Sequence, residues 1–122
     1  MTTTPLPKPS YKRGDVILVL FPNSDLRTAK PRPALVIQSD NLETGLSQTI
    51  VAMITSQMFR GGHPSRVTVL LNSNEGKQSG LLTNSVVMTD NLATITHHAI
   101  DRVIGELPMA LVDAALRITL GL

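Results

Sequence analysis

The chain has 122 residues, 42% of them hydrophobic, so it can bury one core as a single domain and is not disordered by composition. It has no cysteine, which removes disulfides and thiolate zinc sites and fits a reducing cytoplasm. The net charge is only +2, but residues 1–38 carry six of the cations against Asp15 and Asp25, a balance suited to a polyanion.

Residues 1–11 read as a flexible N-terminal arm: Pro5, Pro7 and Pro9 interrupt it, and it lacks the apolar stretch of a signal peptide. No segment reaches the ~18 apolar residues of a membrane span. The folded domain is expected over 12–122. Arg13-Gly14-Asp15 is a turn signal, and Val16 to Phe21 an apolar strand ended by Pro22-Asn23-Ser24-Asp25. Residues 22–31 form a polar, partly basic loop, longer than a tight hairpin needs.

Lys30-Pro31-Arg32-Pro33 then mounts an arginine between two prolines, directly before the apolar run Ala34 to Ile37. Prolines fix φ and remove backbone donors, so 31–33 is expected to lie outside any central strand, with a second strand over 34–39. Gln48 to Thr55 is a third strand, ending in the hydrogen-bonding row Thr55-Ser56-Gln57. Val67 to Leu71 is a fourth. Leu81-Leu82 with Ser85 to Met88 makes a fifth, closed by Thr89-Asp90-Asn91. Leu92 to Ile95 and Arg102 to Leu107 are further short strands, and 97–100 a helical turn.

Pro108 to Leu120 is the one long helix, with Leu111, Ala115 and Ile118 on its apolar face, Val112 and Leu116 alongside, and Gly121 as its cap. Many short strands, one closing helix and no βαβ rhythm imply a mainly β fold with a C-terminal helix (α+β), a small barrel.

Several kinds of chemistry lack their residues. His97 and His98 are adjacent and so diverge, and no metal-ligand spacing is present. No G-x-S-x-G elbow or glycine-rich phosphate loop occurs. With Tyr11, Phe21 and Phe59 as the only aromatics, a base-stacking sheet or a proline-peptide groove is disfavoured.

What remains is a set of polar strand ends: Arg32, then Thr55 and Ser56, then Asp90 and Asn91. Singly each reads as ordinary surface. Together they suit a phosphodiester at one rim of the barrel, fed by the loop carrying Asn23, Arg27 and Lys30. Arginine offers a fork to phosphate oxygens, hydroxyls and amides complete the hydrogen bonds, and a carboxylate can move a proton. RNA brings its own nucleophile, the 2′-hydroxyl, so such a site can cut it with neither metal nor histidine.

Five fragments in order resemble the MazF/PemK/Kid toxins of type II toxin–antitoxin systems. They are Arg13-Gly14-Asp15-Val16, Arg32-Pro33-Ala34-Leu35-Val36-Ile37-Gln38, Ile54-Thr55-Ser56-Gln57, Ser85-Val86-Val87 leading to Asp90-Asn91, and Ala114-Ala115-Leu116 with Leu120-Gly121-Leu122. The resemblance implies an SH3-like barrel, a homodimer, no cofactor, and cytoplasmic, metal-independent cleavage of single-stranded RNA (mRNA) at short sequence motifs, leaving 2′,3′-cyclic phosphate and 5′-hydroxyl ends. It also implies inhibition by an acidic cognate antitoxin. It places the catalytic residues at Arg32, Thr55 and Asp90, and RNA contacts at Asn23, Arg27, Lys30, Ser56, Arg66 and Asn91. Met88 stands where some members have arginine and Asn91 where many have glutamine, while Leu92-Ala93-Thr94 lacks their basic residue. These differences bear on the rate and the cut motif. Two other readings stay open: a non-catalytic dimeric barrel that binds nucleic acid or protein, and a DNA gyrase inhibitor on a related fold.

Overall fold

The computed structural model describes residues 11–122 apart from 23, 24 and 26. Six strands form one antiparallel sheet: β1 (Asp15–Pro22), β2 (Ala29–Val36), β3 (Gln48–Thr55), β4 (Arg66–Val69), β5 (Ser85–Thr96) and β6 (Ile100–Glu106). Two helices, α1 (Asn74–Ser79) and α2 (Ala110–Leu120), and 3₁₀ turns over Met58–Arg60 and His97–Ala99 complete it. The spatial order is β4-β5-β3-β2-β1-β6, so β4 and β6 are edges and the sheet is open where a closed barrel was expected. The arm expected over 1–11 lies outside the described residues except Tyr11, whose ring meets His97 edge-on at 5.2 Å.

β1, the end of β2 (residues 34–36) and β3 carry buried apolar residues on both faces, and successive residues feed two cores. Val16, Leu35 and Ala52, adjacent across three strands, join Val112 and Leu116 of α2 in the larger one. Ile17, Ala34, Val36 and Val51 turn the other way and pack with Ile95 and Ile100. Such continuous apolar runs are what two covered faces require.

The second strand begins at Ala29 and takes in both prolines, against the expectation that they stand outside it. It can do so because its two sides differ. Against β1 it pairs over Ala29 to Leu35, but against β3 only over Ala34 to Val36. Pro31 and Pro33 therefore lie on a stretch with one neighbour, where a missing N–H breaks no ladder.

The fifth strand is continuous over Ser85–Thr96, not two pieces. Its pairing with β3 jumps from Met53↔Met88 to Ala52↔Leu92, so Thr89, Asp90 and Asn91 bulge without a β3 partner. Leu81 and Leu82 belong to no strand. The helix α2 starts at Ala110, two residues later than expected, and buries Val112, Ala115 and Leu116 while Leu111 and Ile118 face outward. The apolar face is thus rotated by about one residue, because 112, 115 and 116 form the i, i+3, i+4 stripe over the core. Gly121 caps the helix in the left-handed region, and the Leu122 N–H donates to the Arg117 carbonyl.

The short helix α1 lies against β6 with no side chain between them. A Cβ on Gly105 would come within 2.4 Å of the Gln78 and Ser79 backbone, and one on Gly80, at φ +70°, within 2.0 Å of the Ile104 carbonyl oxygen. This contact sets residues 80–85 beside β6 and builds one wall of the groove described next. Gly105→Ala has no flexible neighbour to displace, and we expect a loss of about 1–3 kcal/mol or more of stability in chemical denaturation, as overpacked cores show.

Candidate nucleic-acid interface

Arg32 and Thr55 come together through strand register. The last β2–β3 pair is Ala34 with Met53, and the same register continued by two residues sets Arg32 opposite Thr55 on one face. The ladder stops short of that point, so the two strand ends splay and both side chains border open space. Two recesses meet there. One, of about 530 Å³, is bordered by Arg32, Thr55, Lys30, Ser56, Arg102 and the aliphatic Leu18, Leu81 and Ile104. The other, of about 560 Å³, is bordered by Arg32, Thr55, Gln57, Arg60 and Asn91 over Met53, Met88 and Ala93. No carboxylate lines either one.

The arginine is exposed, and its side chain makes no hydrogen bond or ion pair with any described residue. Thr55 is half-buried and oriented: its Oγ1 accepts the Gln57 N–H at 3.1 Å, which leaves the hydroxyl proton to be donated outward. The Gln57 Oε1 in turn accepts from Arg60 Nε at 2.8 Å.

Asp90, expected beside these two, lines neither recess. It sits on the β5 bulge and receives Arg66 Nη2 at 2.8 Å and Nε at 3.4 Å. The Arg66 hydrogen bonds hold its carboxyl below the usual aspartate value, against a smaller opposing push from desolvation. Arg66 is committed to this pair and to the Arg60 carbonyl, so its guanidinium faces protein.

Of the other expected contacts, Lys30, Ser56 and Asn91 border the recesses, and Arg27 is exposed, its backbone N–H donating to Asp25. Asn23 lies outside the described residues. Gln57, Arg60 and Arg102 also face the groove without having been singled out as contacts. Gln57 belongs to the polar row that ends β3 and was legible there. Arg102 arrives only because β6 pairs beside β1, which nothing local to residue 102 reveals. His63 is tied to Ser65 through Nδ1 at 2.7 Å, and no group of three or more metal-binding side chains is found among the described residues.

The groove thus combines an unpaired guanidinium with donor hydroxyls and no lining carboxylate, a chemistry that suits anionic oxygens. The comparisons carry this further. Residues 12–120 match the family described as PemK-like, MazF-like toxin of type II toxin–antitoxin system. The chain is 33% identical over 115 residues to endoribonuclease EndoA of Bacillus subtilis, covering 91% of this chain and 95% of that protein. It is 28% identical to the probable endoribonuclease MazF of Mycolicibacterium smegmatis, over 91% and 97% of the two chains. A mycobacterial endoribonuclease solved in complex with its cognate antitoxin shares the fold at a TM-score of 0.70 and 20% identity, over 93% and 97%. The chain belongs to the PemK-like, MazF-like toxin family.

The pH dependence of stability tests the assignment of Asp90 to Arg66. A carboxyl whose folded pKa is lowered stabilises the fold above its unfolded pKa, near 3.8 for aspartate, and loses that contribution as pH falls through the folded value. At neutral pH Asp90→Asn should therefore melt below the wild type, by no more than about 1 kcal/mol for so accessible a pair. The gap should close below pH 4, as thermal melts across pH 2–8 would record.

Proposed function

We propose that the protein is the toxin of a type II toxin–antitoxin pair, an endoribonuclease that cuts single-stranded messenger RNA in the cytoplasm. The observation that carries this reading is the unpaired guanidinium of Arg32 facing Thr55 across splayed strand ends. The endoribonuclease names of its relatives support the same activity.

The chemistry is transesterification. The 2′-oxygen attacks the adjacent phosphorus, an O2′–P bond forms and the P–O5′ bond breaks. The 2′-hydroxyl loses its proton and the departing 5′-oxygen gains one, leaving a 2′,3′-cyclic phosphate and a 5′-hydroxyl with no water consumed. Nucleophile and leaving group both belong to the RNA, so the protein has to position the phosphate and stabilise the charge that builds on it. Arg32 supplies the charge. A permanently charged guanidinium, it acts as electrostatic stabiliser and not as proton donor. Thr55 donates its hydroxyl to a phosphate oxygen or the 2′-oxygen. Lys30, Arg60 and Arg102 attract the chain on either side. Asp90 is a poor general base at neutral pH, because Arg66 already lowers its proton affinity.

The partners follow from the same groove. A cognate antitoxin presenting an acidic segment would take the place of the RNA phosphates, as the mycobacterial relative solved with its antitoxin suggests. Leu111 at 70% exposure, with Ile118 two turns along the same side of α2, offers apolar surface for a second copy in a homodimer.

Purified protein should cleave single-stranded RNA with EDTA present, and Arg32→Ala should lower the rate by at least about 10²-fold, the scale seen when one charge-stabilising donor is removed. Thr55→Ala should cost less, about 10-fold. Cleavage undiminished in Arg32→Ala would remove the site assignment. Tight RNA binding without product from the wild type would select the non-catalytic reading.

A further inference from the structure

Cutting an RNA strand needs a proton at the leaving group as well as charge at the phosphate. A 5′-alkoxide departs slowly unless its oxygen is protonated as the P–O5′ bond breaks. Arg32 holds its protons, and Asp90 borders neither recess and is bonded to Arg66. Among the described residues that border the two recesses, the aliphatic, hydroxyl, amide and thioether groups have no acidic proton at neutral pH. Arg60 and Arg102 are guanidinium ions like Arg32. Lys30 is the exception. An ammonium carries three donor protons and no lone pair, and it exchanges a proton far more readily than a guanidinium does.

Strand geometry puts Lys30 where such a donor is needed. Residues two apart on a strand share a face, so Lys30 and Arg32 lie on the same side of β2, about 6–7 Å apart at the usual rise. The register that sets Arg32 opposite Thr55, continued two residues further, sets Lys30 opposite Gln57. Lys30 is exposed and makes no hydrogen bond or ion pair with any described residue. Arg32 and Thr55 border both recesses, whereas Lys30 borders only the one it shares with Ser56 and Arg102. In displacement at phosphorus the attacking and leaving oxygens lie roughly in line, on opposite sides. A phosphate held at the junction, between Arg32 and Thr55, can direct one of these oxygens into each recess. A protonated lysine cannot take the 2′-hydroxyl proton, so the oxygen it can assist is the departing one.

We propose that Lys30 is the general acid of the reaction, protonating the 5′-oxygen as it leaves into the recess shared with Arg102. The proposal rests on the ribonuclease reading above and deepens the role of Lys30 from attracting the chain to taking part in the chemistry. In the step, the 2′-hydroxyl proton passes to water and the O2′–P bond forms. The P–O5′ bond breaks with its electron pair on O5′, and a proton moves from Lys30 Nζ to that oxygen. The neutral amine then regains a proton from water, so the protein ends unchanged.

The test replaces the bridging 5′-oxygen with sulfur at the cut, which is mapped first by sequencing cleavage ends. Thiols are much stronger acids than alcohols, so a thiolate leaves without being protonated. Single-turnover rates at saturating protein are compared on the oxygen and sulfur forms of one single-stranded RNA. On the oxygen form Lys30→Ala should be slower than the wild type on the order of 10²-fold, as loss of a general acid costs. On the sulfur form its deficit should stay below about tenfold, the effect of losing one exposed cation. Lys30→Arg, which keeps the charge and loses the exchangeable proton, should follow Lys30→Ala on the oxygen form and the wild type on the sulfur form. Arg32→Ala should slow both forms alike, because it acts on the charge of the phosphate.

Equal deficits of Lys30→Ala on the two forms would overturn the proposal and leave the ribonuclease reading intact, as would Lys30→Arg cutting the oxygen form at the wild-type rate. A wild type that cuts neither form would overturn that reading and the proposal with it.

Discussion

The termination of the β2–β3 ladder at Ala34 governs the rest of the molecule's surface chemistry. Pro33 has no N–H to give to β3, and Pro31 none two residues earlier, so the two strands share only three pairs before they part. Pairing to β1 continues on the other side through Leu20 and Phe21, and it keeps the proline segment extended and in register. The result is a strand held firmly on one side and open on the other. Arg32 sits on the open side, flanked by residues whose φ is fixed. Its backbone has little freedom left to lose when an anion binds, which is the condition for preorganised charge stabilisation.

Rigidity behind the groove comes from covering both faces of the central strands. Val16, Leu35 and Ala52 pack under α2, and Ile17, Ala34 and Val51 pack on the opposite side, so neither face of β2 can shift without disturbing a core. The groove walls use different means. One is set by backbone contact between α1 and β6 at Gly80 and Gly105. The other is set by hydrogen bonds centred on Arg66 and Thr89. Close packing and polar pinning thus do equivalent work on the two sides of one arginine.

What could be read from the sequence follows from how local each signal is. The third strand was legible to the residue, because its apolar run ends in the hydrogen-bonding row at Thr55. Arg32 and Thr55 stood out as polar groups at strand ends, which is a local property. The prolines misled the reading of β2, because a breaker in a central strand is tolerated on a stretch with a single neighbour, and that depends on where β3 stops. Thr89-Asp90-Asn91 reads locally as the close of a strand because a bulge uses the same polar residues. The short helix α1 was missed because Asn74 to Ser79 has a glycine in the middle and only Ser73 as cap. The pairing of Arg66 with Asp90 spans 24 residues and had no local sign at all.

The distribution of charge shows why a net balance of +2 understates the groove. Arg13 is used in structure, binding the Ile37 carbonyl and the Asp113 carboxylate, and Arg66 is used likewise. All six aspartates bond to donors in the chain: Asp15, Asp25 and Asp40 to backbone N–H groups, Asp90, Asp101 and Asp113 to arginines. None of them is left to neutralise Arg32, and none borders either recess. Acids paired elsewhere in the fold count in the total but line neither recess. A phosphate entering between β2 and β3 therefore meets Lys30, Arg32, Arg60 and Arg102 as uncompensated neighbours, apart from the weak, exposed Asp101 contact of Arg102. The groove's lining is cationic although the chain as a whole carries only +2, because the carboxylates are bonded elsewhere and do not line it.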